Sequence, residues 1–129
     1  MAIYVDTSAA VKLLVREPET SALRRWLRDV ERDLVSSDLL RTELARVALR
    51  LGGGTQRAEA ILAGIIVLPV TATTFEIAGA LEPAGMRSLD ALHLAAALDL
   101  GDELDAILTY DERLASAAKV HGVEVVAPT

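Results

Sequence analysis

The chain contains no cysteine, which excludes disulfides, thiolate metal sites and thiol nucleophiles. It has only two histidines, His93 and His121, far apart in sequence and a poor start for a zinc site. Aromatic residues are 3% of the chain against 52% hydrophobic residues overall, so Ala, Leu and Val must fill the interior. No long apolar run is present. The longest, Ala60 to Val70, is broken by Gly64 and Pro69 and falls short of the ~20 residues that span a bilayer. Met1 leads straight into a strand-like run with no basic start, apolar segment or cleavage site. A cytoplasmic protein with no membrane partner is the expectation.

Positive charge is also scarce: 13 Lys and Arg face 19 Asp and Glu, a net charge of −6 that at face value argues against nucleic acid. The distribution is uneven. Residues 1–57 carry ten Lys/Arg and eight Asp/Glu, whereas residues 58–129 carry three and eleven. Such a field leaves room for an anionic partner on one surface.

At 129 residues the chain makes one domain, residues 1–129, with a core of its own. Ile3-Tyr4-Val5 reads as a short buried strand, and Asp6-Thr7-Ser8 after it are all helix-capping types. Ala9 to Val15 follows as a helix stopped near Pro18. A second helix runs from about Glu19 to Arg32, with Leu23, Trp26, Leu27 and Val30 on one stripe and Arg24, Arg25, Arg28 and Arg32 opposite. The plain reading of that basic face is solvation, and of Trp26 a core residue; the sharper one is a surface for phosphate or a partner. Residues 33–36 give a strand, and Ser37 or Asp38 caps a helix that ends before Gly52-Gly53-Gly54. That glycine run lacks the Lys-Ser/Thr of a phosphate loop and reads as a linker. Thr55 to Ala63 is a helix, Ile65 to Leu68 a strand and Thr73 to Leu81 a short helix. Ser88 then caps a helix from Leu89 to Leu100 that is apolar nearly all round and should be buried. Ala106 to Thr109, Asp111 to His121 and Val123 to Val126 complete the alternation as strand, helix and strand. The pattern predicts an α/β fold: a central, mostly parallel sheet of four to five strands with helices on both faces.

Four acids stand where such a fold normally places apolar residues or neutral caps. Asp6 and Asp111 follow apolar strands, Asp90 opens the greasy helix, and Glu43 sits on the rim of the Leu40/Leu44/Val47/Leu51 stripe. Each alone has a plainer reading: helix cap for Asp6 and Asp111, dipole partner for Asp90, solvent or a pair with Arg46 or Arg50 for Glu43. Ligands of open parallel sheets collect at the carboxyl ends of strands, which is where Asp6 and Asp111 lie. Converging carboxylates need positive compensation, and hard oxygen ligands suit Mg²⁺ or Mn²⁺. His93, one turn from Asp90, reads as a hydrogen-bonded core histidine or a donor behind the acids.

Asp6-Thr7-Ser8 after the first strand, Glu43 within a helix, the run Ser88 to Ala95 and the run Thr109 to Leu114 together resemble PIN-domain ribonucleases. They are most similar to the VapC-type toxins of toxin–antitoxin pairs, over essentially the whole chain. The resemblance implies a PIN-like domain in which Asp6, Glu43, Asp90 and Asp111 bind Mg²⁺ or Mn²⁺ and serve as the catalytic acids. Ser8 and Thr109 would support them. It implies endoribonuclease activity on tRNA or another structured RNA, a VapB-like antitoxin covering the acidic pocket, and a homodimer. Two other classes compete. A phosphotransfer domain of haloacid-dehalogenase or receiver type also uses Asp after its first strand, yet Ser8 stands where the former wants a second Asp, and no late Lys fits the latter. A non-catalytic RNA-binding module would have no use for four intact acids.

Overall fold

The computed structural model describes residues 1–129. Its sheet has five parallel strands in the order β3-β2-β1-β4-β5. They are β1 (Ala2–Val5), β2 (Asp33–Ser37), β3 (Ile66–Leu68), β4 (Leu104–Leu108) and β5 (Val125–Val126). Between β1 and β2 come α1 (Thr7–Leu14) and α2 (Thr20–Asp29); between β2 and β3, α3 (Asp38–Arg50) and α4 (Thr55–Ala63). Then α5 (Ala72–Ala80) and α6 (Ser88–Leu98) lead to β4, and α7 (Glu112–Val120) to β5.

Side-chain alternation along the strands sorts the core into two layers. Ile3, Val5, Ala106 and Leu108 face α1, α3 and α4 through Leu14, Leu40, Leu44 and Ala58. Tyr4 and Ile107 face α6 and α7 through Leu94, Ala97, Leu114 and Ala118. The helices thus cover both faces, as the alternation of elements requires. Strand order runs outward from β1 in both directions: through β2 to β3, and from β4 to β5. The two directions part between β1 and β4, which makes the carboxyl ends of these strands the topological switch point where a crevice opens.

Several boundaries differ from the sequence expectation. α2 stops at Asp29 rather than Arg32, and a 3₁₀ turn, Gly101–Glu103, precedes β4. Ser88 is the first residue of α6; Arg87 holds the cap position and makes no side-chain cap bond. Nor is α6 wholly buried. Its inner residues His93, Leu94, Ala95 and Ala97 are, but Leu89 in the first turn is 51% exposed. The helix lies over the sheet from Ala91 onward, and apolar composition could not distinguish that stretch from a first turn facing a groove. No helix is long and apolar enough to cross a membrane.

Candidate active site

Asp6 ends β1 at the switch point and is 5% exposed. Its backbone N–H donates to the Leu108 carbonyl at 3.0 Å, tying it to the end of β4. Its carboxylate does two jobs. Oδ2 accepts the Ser8 N–H at 3.3 Å, which caps α1. The same oxygen accepts the Ser8 hydroxyl at 2.7 Å and the Thr109 hydroxyl at 2.8 Å. Ser8 Oγ also accepts the Tyr110 N–H at 2.9 Å, and Thr109 Oγ1 accepts the Asp111 N–H at 3.1 Å. Two hydroxyls therefore fasten the chain after β4 to the chain after β1, with Oδ2 of Asp6 as the common acceptor. Oδ1 accepts none of these bonds.

Asp111 caps α7, its Oδ1 accepting the N–H groups of Arg113 at 2.8 Å and Leu114 at 3.2 Å. The plainer reading of this residue is thus correct, and it leaves Oδ2 uncommitted. Asp90 enters from the first turn of α6. Burial pushes its carboxyl above the usual range, and the charges of Asp111 and Asp6 push it further the same way. Asp90 therefore feels the like charges of both Asp111 and Asp6.

Glu43 arrives from α3. It does not pair with Arg46 or Arg50: Oε1 accepts the Thr7 hydroxyl at 2.9 Å and lies 2.6 Å from His93 Nε2. Burial works to raise this carboxyl, but the His93 hydrogen bond and charge, with the Thr7 hydroxyl, outweigh it and hold Glu43 below its ordinary value. His93 is 2% exposed, and its Nδ1 sits 2.8 Å from the Tyr4 hydroxyl, itself bonded to Ser37 Oγ at 2.9 Å. Nε2 also lies 3.7 Å from Asp6 Oδ1. Burial depresses the imidazole, yet the Glu43 bond and the charges of Asp6, Glu43 and Asp90 together lift it above its ordinary value. Asp6 and Glu43 thus flank His93, Ser8 and Thr109 fasten Asp6, and Asp90 feels the charges of Asp111, Asp6 and His93. Tyr4 is the residue that sequence reasoning missed: it read only as a buried strand residue, and nothing local signals its bond to a helix 89 positions away.

As the side chains stand, no three of the acids and histidines meet at a single ligating point. Glu43 is engaged by His93, Oδ2 of Asp6 by Ser8 and Thr109, and Oδ1 of Asp111 by the start of α7. The remaining oxygens, Asp6 Oδ1, Asp111 Oδ2 and both of Asp90, have no hydrogen-bond donor. An all-oxygen set with mutual repulsion fits a hard divalent ion such as Mg²⁺, which keeps several waters and needs only one or two direct carboxylates. A receiver-like phosphotransfer site does not fit. Its lysine is missing, since the buried Lys12 is turned to Glu19 at 3.0 Å and lies over the Tyr110 ring.

A five-stranded parallel sheet with acids at its switch point is the arrangement of a PIN domain, and the PIN-domain family profile matches residues 3–120. The chain belongs to that family, on its VapC branch. It is 46% identical to ribonuclease VapC47 of Mycobacterium tuberculosis over 131 residues, covering 98% of this chain and 96% of the relative. It is likewise 46% identical to ribonuclease VapC46 of the same organism, covering 99% and 98%. Among solved structures, a toxin–antitoxin complex from Klebsiella pneumoniae superposes with a TM-score of 0.76 at 21% identity, covering 100% of this chain and 98% of that one.

Proposed function

We propose that the chain is a metal-dependent endoribonuclease, the toxin of a toxin–antitoxin pair, acting in the cytoplasm on tRNA or another structured RNA. The observation that carries this reading is the placement of Asp6 and Glu43 on either side of His93 at the end of β1, with Asp90 feeling the charges of Asp111 and Asp6. Membership of the VapC branch supports the choice of RNA, and the names of the two relatives support ribonuclease activity.

Asp6, Asp90 and Asp111, with Glu43, would hold Mg²⁺ or Mn²⁺. Such an ion, when bound, reverses the sign of the acidic site and polarises a phosphodiester. The chain's own residues fix the rest. Ser8 and Thr109 hold Asp6 in one orientation through Oδ2 and leave Oδ1 without a hydrogen-bond donor. Thr7 and His93 hold Glu43. The uncommitted carboxylate oxygens are the acceptors at hand for the proton of an attacking water. Attack of that water on phosphorus breaks the P–O3′ bond, and the departing O3′ takes a proton from solvent, leaving 5′-phosphate and 3′-hydroxyl ends. A VapB-like antitoxin covering the pocket is the expected partner, consistent with the toxin–antitoxin complex that shares this fold, and a homodimer is the expected assembly.

The test is to incubate purified, partner-free chain with total RNA, with and without Mg²⁺ or Mn²⁺, and to map the ends. Metal-dependent cuts with 5′-phosphates are expected. Ends bearing 2′,3′-cyclic phosphates would show that the ribose hydroxyl attacks and would defeat the scheme.

A further inference from the structure

Glu43 leaves Arg46 and Arg50 of its own helix without a partner. Arg46 and Arg50 follow it at spacings of three and seven residues, which set side chains on one face of a helix. Neither takes part in any ion pair of the molecule. Both line an open groove that also contains Leu39, Val70 and Leu89, and that reaches Glu43 and Thr7 of the acidic site. Apart from Glu43 the only acid on the groove is Asp38, and Arg41 already neutralises it at 3.1 Å.

We propose that this groove is the path by which single-stranded RNA reaches the acids, with Arg46 and Arg50 contacting consecutive phosphates. The assignment rests on the nuclease reading above. Its physical logic is electrostatic. The acids repel a phosphate, so a strand must be held by cations nearby, and Arg46 and Arg50 are unpaired cations on a groove that reaches Glu43. Four residues of helix separate their positions by about 6 Å along the axis, comparable with the step between phosphates of an extended strand. No aromatic lines the groove, so bases would lie against the aliphatic side chains of Leu39, Val70 and Leu89 rather than stack. The other arginine-lined hollow, formed by Arg24, Arg28 and Arg57, contains none of the four acids and serves as the comparison.

The experiment measures binding separately from cleavage. A fluorescein-labelled single-stranded RNA of about 12 nucleotides, within the usual site size for such strands, is titrated across a salt series with the chain carrying Asp90→Asn to prevent cutting. Each phosphate contact on a single strand contributes about 0.7 to the slope of log affinity against log salt. Adding Arg46→Gln and Arg50→Gln should flatten that slope by about 1.4. Arg46→Lys with Arg50→Lys should restore it, and Arg24→Gln with Arg28→Gln should leave it alone. An unchanged slope in the Arg46/Arg50 variant, or an equal fall in the Arg24/Arg28 variant, overturns the assignment. So does loss of a co-expressed antitoxin with the RNA slope intact, which would give the groove to a protein segment. Cleavage of total RNA by the unsubstituted chain reports independently: intact RNA sinks the nuclease reading, whereas cut RNA with an unchanged slope sinks only the groove.

Discussion

His93 Nε2 and Glu43 Oε1 approach to 2.6 Å, joining α6 to α3 across the end of β1. Every heteroatom of the imidazole is used, since Nδ1 meets the Tyr4 hydroxyl at 2.8 Å. Removing the ring strips the buried Tyr4 hydroxyl and the half-buried Glu43 carboxylate of their imidazole partner, and leaves a cavity. His93→Ala should therefore cost about 2–4 kcal/mol of folding stability. His93→Gln, which keeps a donor within reach of Glu43, should recover part of that loss. Urea unfolding of the three proteins checks the order; equal stability of all three would mean the bond contributes nothing.

The same pair sets a pH dependence whose sign differs for its two members. His93 is raised above its ordinary 6.5, so its contribution is complete below that value and lost as pH rises through the folded pKa. Glu43 is lowered from 4.5, so its contribution is present above that value and lost as pH falls through the folded pKa. The stability advantage of the wild type over His93→Gln should then be greatest between 4.5 and 6.5 and shrink toward alkaline pH. Urea midpoints at about pH 5.5 and about pH 9 decide it; an advantage growing with pH would contradict the assignment.

How far the site could be seen without coordinates depends on how local each signal is. Asp6 and Asp111 were legible because each stands between a strand and a helix in sequence, and both prove to be caps. Glu43 was legible from its place on the helical wheel, though its partner was not. Arg46 and Arg50 are its sequence neighbours, but Thr7 and His93, 36 and 50 positions away, hold it. Tyr4 and Lys12 were opaque for a related reason. Hydrophobic periodicity says that a position is inside, not what its polar tip meets, and Lys12 at 7% exposure meets Glu19 and Tyr110. The exposed start of α6 was missed because composition alone does not show where a helix leaves the core.

Asp90 is the acid whose neutralisation should help the fold. Its carboxyl is raised from 3.8, first by burial and then by Asp111 and Asp6, so the stability it contributes is present at low pH and lost as pH rises through the folded value. Asp90→Asn should raise the melting temperature by a few degrees at neutral pH, with the gain vanishing in acid, while abolishing RNA cleavage. Asp6→Asn should also abolish cleavage and keep the fold, because an amide oxygen can still accept from Ser8 and Thr109. Calorimetry alongside a cleavage assay separates the two effects. Unfolding of both variants, with unchanged activity per folded molecule, would assign these acids to structure alone.

Metal removal supplies a measurement that does not depend on turnover. A ligand that binds the folded chain and not the unfolded one raises stability by RT ln(1 + [L]/Kd), about 2.7 kcal/mol at a hundredfold excess over Kd. The donorless oxygens of Asp6, Asp90 and Asp111 are the groups on which Mn²⁺ should act, so titrating it into EDTA-treated chain should raise the melting temperature in a saturable way. Asp90→Asn removes one full carboxylate from that set and should right-shift the titration by tenfold or more, about 1.4 kcal/mol or greater. Ser8→Ala should shift it less. That substitution frees Asp6 Oδ2 from one donor but leaves Thr109 in place, so the carboxylate loosens without losing its charge. Equal Mn²⁺ responses in the wild type and Asp90→Asn would place the ion elsewhere on this acidic surface.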